Sequence, residues 1–180
     1  MKKILFFLFL SLSAFLNANE KNNKQVDLLH SFGNNGEYAQ MDSVYNLIIH
    51  ENHYKQDKLY ALNITLDYAR FLNQKGDSER ANTLLTQIRE NAMALEKFPE
   101  NTIAHQLQEI AAIATYEIAY GQWQNNQLPA ARETAEEAVS QLEQVKDSMN
   151  LAEAYNLSGV IHRRLFMLDN AISLYQKALA

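Results

Sequence analysis

Apolar residues in this chain recur at intervals of three and four positions, the spacing that places them on one face of an α-helix. Eight such stretches are separated by short breaks, most of them rich in Gly, Asn, Asp or Pro. They cover residues 24–32, 37–50, 57–74, 77–95, 103–124, 130–145, 151–164 and 169–180. The chain contains only five glycines and two prolines, which suits long uninterrupted helices. The pattern therefore predicts an all-α fold.

The helices carry a repeated signature with a near-constant period. Its anchor residues lie 40, 50 and 40 positions apart, at Met41, Ala81, Ala131 and Ala171. Small or apolar residues predominate four and seven positions after each anchor and twelve positions before it. A period of this size predicts about four antiparallel helical hairpins, stacked so that each covers the apolar face of its neighbour. The predicted units are residues 24–53, 54–98, 101–147 and 148–180.

Residues with special backbone properties lie at the predicted breaks. Gly36 and Gly76 lie where the chain must turn within the first two hairpins, and glycine tolerates positive φ. Pro129 falls in the first turn of a helix, where its missing N–H has no cost. Pro99 interrupts the pattern where ten extra residues separate the second and third anchors. Asp147 is predicted to cap the helix that follows it.

The first residues have a different character from the rest of the chain. Lys2 and Lys3 precede an apolar run over residues 4–16, and a polar stretch follows Ala18. A charged start, an apolar middle and a small residue are typical of a secretory signal peptide. The run is shorter than the roughly 20 residues that a membrane span needs. We therefore expect a leader over residues 1–18 and a polar linker over 19–23, with export to the periplasm or the exterior; the alternative is a buried N-terminal helix.

Charge and cysteine content narrow the functional classes. The formal net charge is −5, and loss of Lys2 and Lys3 leaves 14 basic residues against 21 acidic ones, or −7. An acidic chain disfavours nucleic acid as a partner, because phosphate binding needs a basic face. We also expect no direct membrane contact by the mature repeat domain. The chain has no cysteine, which excludes thiolate nucleophiles and thiolate zinc sites.

The repeated residues resemble tetratricopeptide repeats over residues 24–180. The likeness is strongest in the last unit, where residues 152–162 and 169–179 match the family pattern of small and aromatic positions. The family unit is about 34 residues, so the longer period here implies longer helices. The turn position, glycine in that family, holds Gly36, Gly76, Asn126 and Phe166. The resemblance implies a right-handed superhelical stack, an α-solenoid.

In that family the first helix of each hairpin lines a concave groove that binds a peptide. Matching the register implies groove positions Asn63, Leu66, Arg70, Asn73, Tyr116, Tyr120, Trp123, Asn156, Val160, Arg163 and Arg164. Aromatic side chains beside arginine are good anchors, because they bury a large area and offer polar tips. Ordinary core packing remains an alternative for Tyr116 and Tyr120. Trp123 precedes an Asn-rich turn, so it could instead cap the end of its helix.

The sequence carries few signs of chemistry. It has no nucleophile-elbow motif, phosphate loop or paired carboxylates, and its scattered Asp and Glu residues are expected on outer helix faces. We therefore expect that this protein is not an enzyme and that it binds no cofactor. His50 and His53 are three residues apart and form the best metal candidate, but no third ligand accompanies them. A polar helix end explains them without a metal.

The preferred interpretation is an extracytoplasmic, non-catalytic repeat module that binds a protein or peptide segment. It could be the sensory region of a larger signalling protein. No polar capping helix of the family type precedes Ala180, so we expect a continuation of the chain or a docking partner there. Two alternatives stay open: a structural scaffold that stacks through this end, and a secreted metal-binding protein that uses His50 and His53.

Overall fold

A computed structural model describes residues 23–96 and 103–180 of the chain. The predicted leader and the predicted break around Pro99 lie outside the described residues. Contacts between residues divide the described part of the chain into two compact units, with the boundary between Ala61 and Leu62. The division falls within the fourth helix, and each unit is described separately below.

The described residues form nine helices and no strand, so the all-α prediction is confirmed. None of the described helices is long and apolar enough to cross a membrane. In chain order the helices are α1 (23–34), α2 (Tyr38–His50), α3 (Asn52–Gln56), α4 (Lys58–Lys75), α5 (Ser78–Glu96), α6 (Ala104–Gln124), α7 (Leu128–Val145), α8 (Ser148–Arg164) and α9 (Leu168–Ala178).

One of the nine helices, α3, lies where the sequence predicted only a break. Glu51 ends α2 with an extended backbone, at ψ 148°, and the short α3 starts immediately afterwards. The amide of Lys55 then bonds to the carbonyl of Glu51, which closes the first turn of α3. No glycine or proline occurs in this stretch, so nothing prevents a single helical turn from re-forming. The other helix ends lie within three residues of their predicted positions.

Two predicted end signals have the expected geometry. Pro129 lies in the first turn of α7, where a missing N–H leaves no helical bond unmade. The Asp147 carboxylate accepts a hydrogen bond of 3.2 Å from the backbone N–H of Asn150, so it caps α8 as predicted.

The first unit contains α1 to α3 and the start of α4. Its described helix α2 contacts α3, and its buried apolar side chains come from α1 and α2. They are Leu29, Met41, Val44, Tyr45 and Ile48.

The second unit contains most of α4 and all of α5 to α9. Each helix from α5 to α9 packs against the next, and α6 also contacts α8. A cluster of buried residues joins α6, α7 and α8, and small side chains there let the helices approach closely. We call it the alanine cluster; its members are Ala119, Ala131, Ala135, Leu157 and Ile161.

Four hairpin turns repeat the same backbone geometry. The residues at the matching position have φ between +60° and +87°, and they are Gly36, Gly76, Asn126 and Phe166. At each turn the next residue donates its N–H to the carbonyl five positions before it, at 2.8–2.9 Å. This bond is typical of a Schellman ending, which satisfies helix carbonyls that lack a partner. The anchor five residues after each of these positions is at most 2% exposed, so the sequence period coincides with a period in backbone structure.

Phe166 is the turn residue least suited to its backbone. It has φ +61° and is 89% exposed, whereas the equivalent turn between α6 and α7 uses Asn126. Replacing Phe166 with Asn is expected to stabilise the folded protein by about 0.5–1 kcal/mol, because asparagine tolerates the left-handed region better. The measurement is the urea midpoint at constant m-value. The converse change, Asn126→Phe, should lower the midpoint, and a lower midpoint for Phe166→Asn would contradict this account.

Candidate binding surface on three helices

A polar network centred on Glu117 joins α4, α6 and α8 of the second unit. Arg70 Nε donates to Glu117 Oε1 at 2.7 Å, and Arg70 Nη2 donates to Asn150 Oδ1 at 3.2 Å. Asn73 Nδ2 donates to the backbone carbonyl of Glu117 at 2.9 Å and to its Oε2 at 3.2 Å. Glu153 Oε2 lies 4.0 Å from Arg70 Nη2. These contacts place one residue of α4 against α6 and α8 at the same time.

Burial gives this network its electrostatic character. The side chain of Glu117 is only 8% exposed, and this burial raises its pKa more than Arg70 and Asn73 lower it. Burial alone would lower the pKa of Arg70, but the charge and hydrogen bond of Glu117 raise it overall. Arg70 is therefore held in its charged form by a buried carboxylate.

The surroundings of Arg70 are acidic as a whole. Glu117, Glu153 and Asp67 all act on its guanidinium, so one positive charge faces three carboxylates. The repeat register implied that Arg70 is a groove residue. In the structure its guanidinium is paired with Glu117 at the contact between helices.

The predicted aromatic residues lie side by side on α6. Tyr116, Tyr120 and Trp123 are half-buried and pack against the alanine cluster. The ring centroids of Tyr120 and Trp123 are 5.6 Å apart, with 41° between the planes. Burial raises the pKa of Tyr116, and the nearby charge of Glu117 adds to the increase. Tyr116 and Tyr120 therefore pack against the core, as the core-packing alternative expects, while part of each residue stays accessible.

Trp123 does not act as a hydrogen-bonding cap. Its indole Nε1 is buried and has no hydrogen-bond partner among the described residues, so its N–H satisfies no carbonyl at the end of α6. The ring packs on the alanine cluster instead. The alternative that Trp123 caps its helix through this N–H is therefore not supported.

Most of the remaining predicted groove residues are exposed on the flanking helices, but Val160 is half-buried and Leu66 is a core residue that is 4% exposed. Asn63 lies seven residues before Arg70 on α4, and Asn156 lies seven residues before Arg163 on α8. Seven residues are about two helical turns, so each pair shares a face. Asn73, also implied by the register, is instead 1% exposed and belongs to the buried network.

Sequence reasoning missed the acidic residue at the centre of this surface. Acidic residues were expected on outer faces, and Glu117 contradicts that expectation because it is buried inside the second unit. A signal was available, since Glu117 is the only charged residue between Ile110 and Gly121. A single carboxylate in an apolar helix normally has a partner. The identity of that partner, 47 residues away, is not readable from the helix itself.

The metal candidate gains no support from the structure. His50 Nδ1 lies 2.6 Å from the carbonyl oxygen of Asn46, one turn earlier in α2. This ring nitrogen is therefore engaged in a contact within its own helix. The side chain of His53 is outside the described set. Among the described residues no three His, Cys, Asp or Glu side chains are grouped so as to hold a metal ion.

A second polar group lies between α7, α8 and α9 and superficially resembles a catalytic triad. His162 is 3% exposed, with Ser158 Oγ 3.4 Å from its Nδ1 and Glu136 Oε1 3.4 Å from its Nε2. It borders a cavity of about 410 Å³. However, Nδ1 is only 2.8 Å from the Ser158 carbonyl, which can only accept a hydrogen bond. Nδ1 therefore carries hydrogen and is unable to take the serine proton.

The chain matches no protein-family model and no curated protein. The geometry of the surface on α4, α6 and α8 is therefore the main guide to function.

Proposed function

We propose that this chain is an exported, non-catalytic helical-repeat module that binds a protein or peptide segment. Its hairpins would form a right-handed superhelical stack similar to that of tetratricopeptide repeats. The observation that carries this proposal is the contact of Arg70 on α4 with Glu117 on α6 and Asn150 on α8. This contact joins three alternate helices, which supports the arrangement that the repeat register predicts.

The proposed surface has features that favour binding over chemistry. Tyr120 and Trp123 are held by packing on the alanine cluster, so they lose little freedom when a ligand covers them. Half-buried aromatic rings are common anchors in protein interfaces. Asn63, Asn156 and Arg163 are exposed on the flanking helices and would supply a polar rim. Arg70 would act by holding the helices in place.

The proposal is tested by removing the two aromatic anchors. The purified protein is panned against a random peptide display library, and selected peptides are titrated by fluorescence anisotropy. The double variant Tyr120→Ala and Trp123→Ala is expected to bind them at least about 30-fold more weakly, since each anchor contributes about 1–2 kcal/mol.

A matched control removes an aromatic ring elsewhere. Tyr38→Ala changes a half-buried tyrosine of α2, outside the proposed surface, and should leave the affinity unchanged. Circular dichroism confirms that each variant stays helical. Equal affinity of the aromatic double variant and the parent would reject this surface as the binding site.

A second function, an assembly scaffold, is favoured by one feature of α9. Leu168, Ile172 and Leu179 are 57%, 56% and 89% exposed. They recur at helical spacing, so they form an apolar face that a stacking partner could cover. Light scattering at increasing protein concentration distinguishes a self-assembling scaffold from a monomeric binding module.

In a larger signalling protein, the surface on α4, α6 and α8 would serve as the sensory region.

A further inference from the structure

Two unfavourable features coincide at Phe166, in the turn between α8 and α9. Its backbone is left-handed, at φ +61°, and its side chain is 89% exposed. A bulky residue is strained in this region, and an exposed aromatic ring gains nothing from burial. The three equivalent turn positions hold glycine or asparagine, which avoid both costs. Strain retained at an exposed position points to a function outside the folding of this chain.

The residues around Phe166 combine exposed apolar and basic side chains. Arg163 and Arg164 precede it and are exposed, and Leu168 follows it at 57% exposure. Arg164 Nη2 donates a 2.9 Å hydrogen bond to Asn126 Oδ1, which ties this turn to the turn between α6 and α7. We name residues 163–168 the basic apolar turn.

The local charge is opposite in sign to that of the whole chain. Residues 163–180 contain three basic side chains and one acidic one, Asp169, whereas the chain carries −5. The neighbouring turn, residues 124–127, consists of Gln and Asn only. The basic apolar turn therefore lies beside a neutral turn, which adds no carboxylate to oppose an anionic surface.

We propose that the basic apolar turn docks onto an anionic lipid bilayer. Phe166 and Leu168 would enter the interfacial region, while Arg163 and Arg164 contact lipid phosphates. Exposed basic and apolar side chains lie together in this turn, so it matches a layered surface in which charge lies above hydrocarbon. This differs from the expectation, drawn from the sequence, that the repeat domain makes no membrane contact. It shares Arg163 with the peptide-binding proposal but uses neither Tyr120 nor Trp123, so the Phe166 and the aromatic double variants test the two proposals separately.

The test measures binding of the purified full chain to vesicles by co-sedimentation. Vesicles contain equal parts of phosphatidylglycerol and phosphatidylcholine, and vesicles of phosphatidylcholine alone serve as the uncharged comparison. Phe166→Asn is expected to lower the partition coefficient at least about ten-fold, the effect of withdrawing one buried aromatic side chain. Arg163→Gln with Arg164→Gln should lower it by about 25-fold, or about five-fold per arginine.

Controls separate this turn from other apolar parts of the chain. Met149→Gln removes a different exposed apolar side chain, 72% exposed, and should leave vesicle binding unchanged. All variants share the same N-terminus, so any contribution of the apolar run over residues 4–16 cancels. Reduced binding of Phe166→Asn with unchanged or higher thermal stability supports the proposal. Absence of binding to anionic vesicles, or equal binding of Phe166→Asn and the parent, overturns it and leaves a protein pocket as the acceptor of Phe166.

Discussion

Replacing Arg70 with methionine is expected to destabilise the folded protein by about 2–4 kcal/mol at neutral pH. The substitution leaves Glu117, whose side chain is only 8% exposed, as a buried carboxylate without a cation. The expected loss is below that of a fully buried pair, because the Arg70 side chain is 32% exposed and partly screened by water. Urea unfolding followed by circular dichroism measures it.

A double-mutant cycle isolates the charge from the packing. Adding Glu117→Gln to Arg70→Met removes the uncompensated carboxylate and keeps an acceptor for Asn73, so stability should return to within about 1 kcal/mol of the parent. The two changes are therefore strongly coupled. Additive losses would show that Arg70 contributes by packing alone.

The pH dependence of these variants has a defined sign. Burial raises the pKa of Glu117 in the folded state, so the folded protein binds this proton more tightly than the unfolded chain does. Ionised Glu117 lowers the free energy of unfolding in full at pH values above its raised folded pKa. This loss shrinks as the pH falls through that pKa toward the ordinary glutamate pKa of about 4.3. Arg70→Met should therefore recover stability on mild acidification, relative to the double variant. If the difference in unfolding free energy between Arg70→Met and the double variant does not change with pH, the raised pKa of Glu117 is contradicted.

Gly159→Ala is the second change expected to have a large effect. A methyl group at Gly159 on α8 would lie 2.7 Å from Cε1 and 2.8 Å from Cδ1 of Tyr175 on α9. The ring must move, which costs about 1–3 kcal/mol and exceeds the gain of about 0.8–1 kcal/mol from alanine's helix propensity. Thermal unfolding should show a lower midpoint, and the amides of α9 should exchange faster.

Removing the ring provides the matched control. In a Tyr175→Leu background the space beside Gly159 opens, so Gly159→Ala should become neutral or stabilising. Gly121→Ala offers a milder comparison, because its methyl group would lie 3.0 Å from Asn73 Oδ1 and 3.5 Å from Ser78 Cβ. If Gly159→Ala raises the midpoint in the parent, α9 is not held against α8 in the way described.

Part of the candidate surface could be predicted from the sequence. The repeat register grouped Arg70, Tyr116, Tyr120 and Trp123 on one surface. In the structure Arg70 contacts α6, and the three aromatic residues pack against the alanine cluster. The grouping rests on the expectation that residues at one position of a repeat occupy equivalent places on their helices. The pairing of Arg70 with Glu117, which lies 47 positions away, was not predicted.

Apart from the short α3, the described helices and their turns were determined by the sequence alone. A helix needs only local hydrogen bonds and an apolar face of period 3.6, and both depend on residues that are close together in the sequence. The same holds for the left-handed turns at Gly36 and Gly76, although Phe166 adopts that geometry without being suited to it.

Only the tertiary structure decided the burial of Glu117, its pairing with Arg70, and the contact of Gly159 with Tyr175. Each depends on which faces of two helices meet, and pattern within one helix does not specify its partner. Charged and small residues have the same local preferences whether they face water or a neighbouring helix. Their roles therefore became visible only when residues 47 positions apart were brought within 2.7 Å.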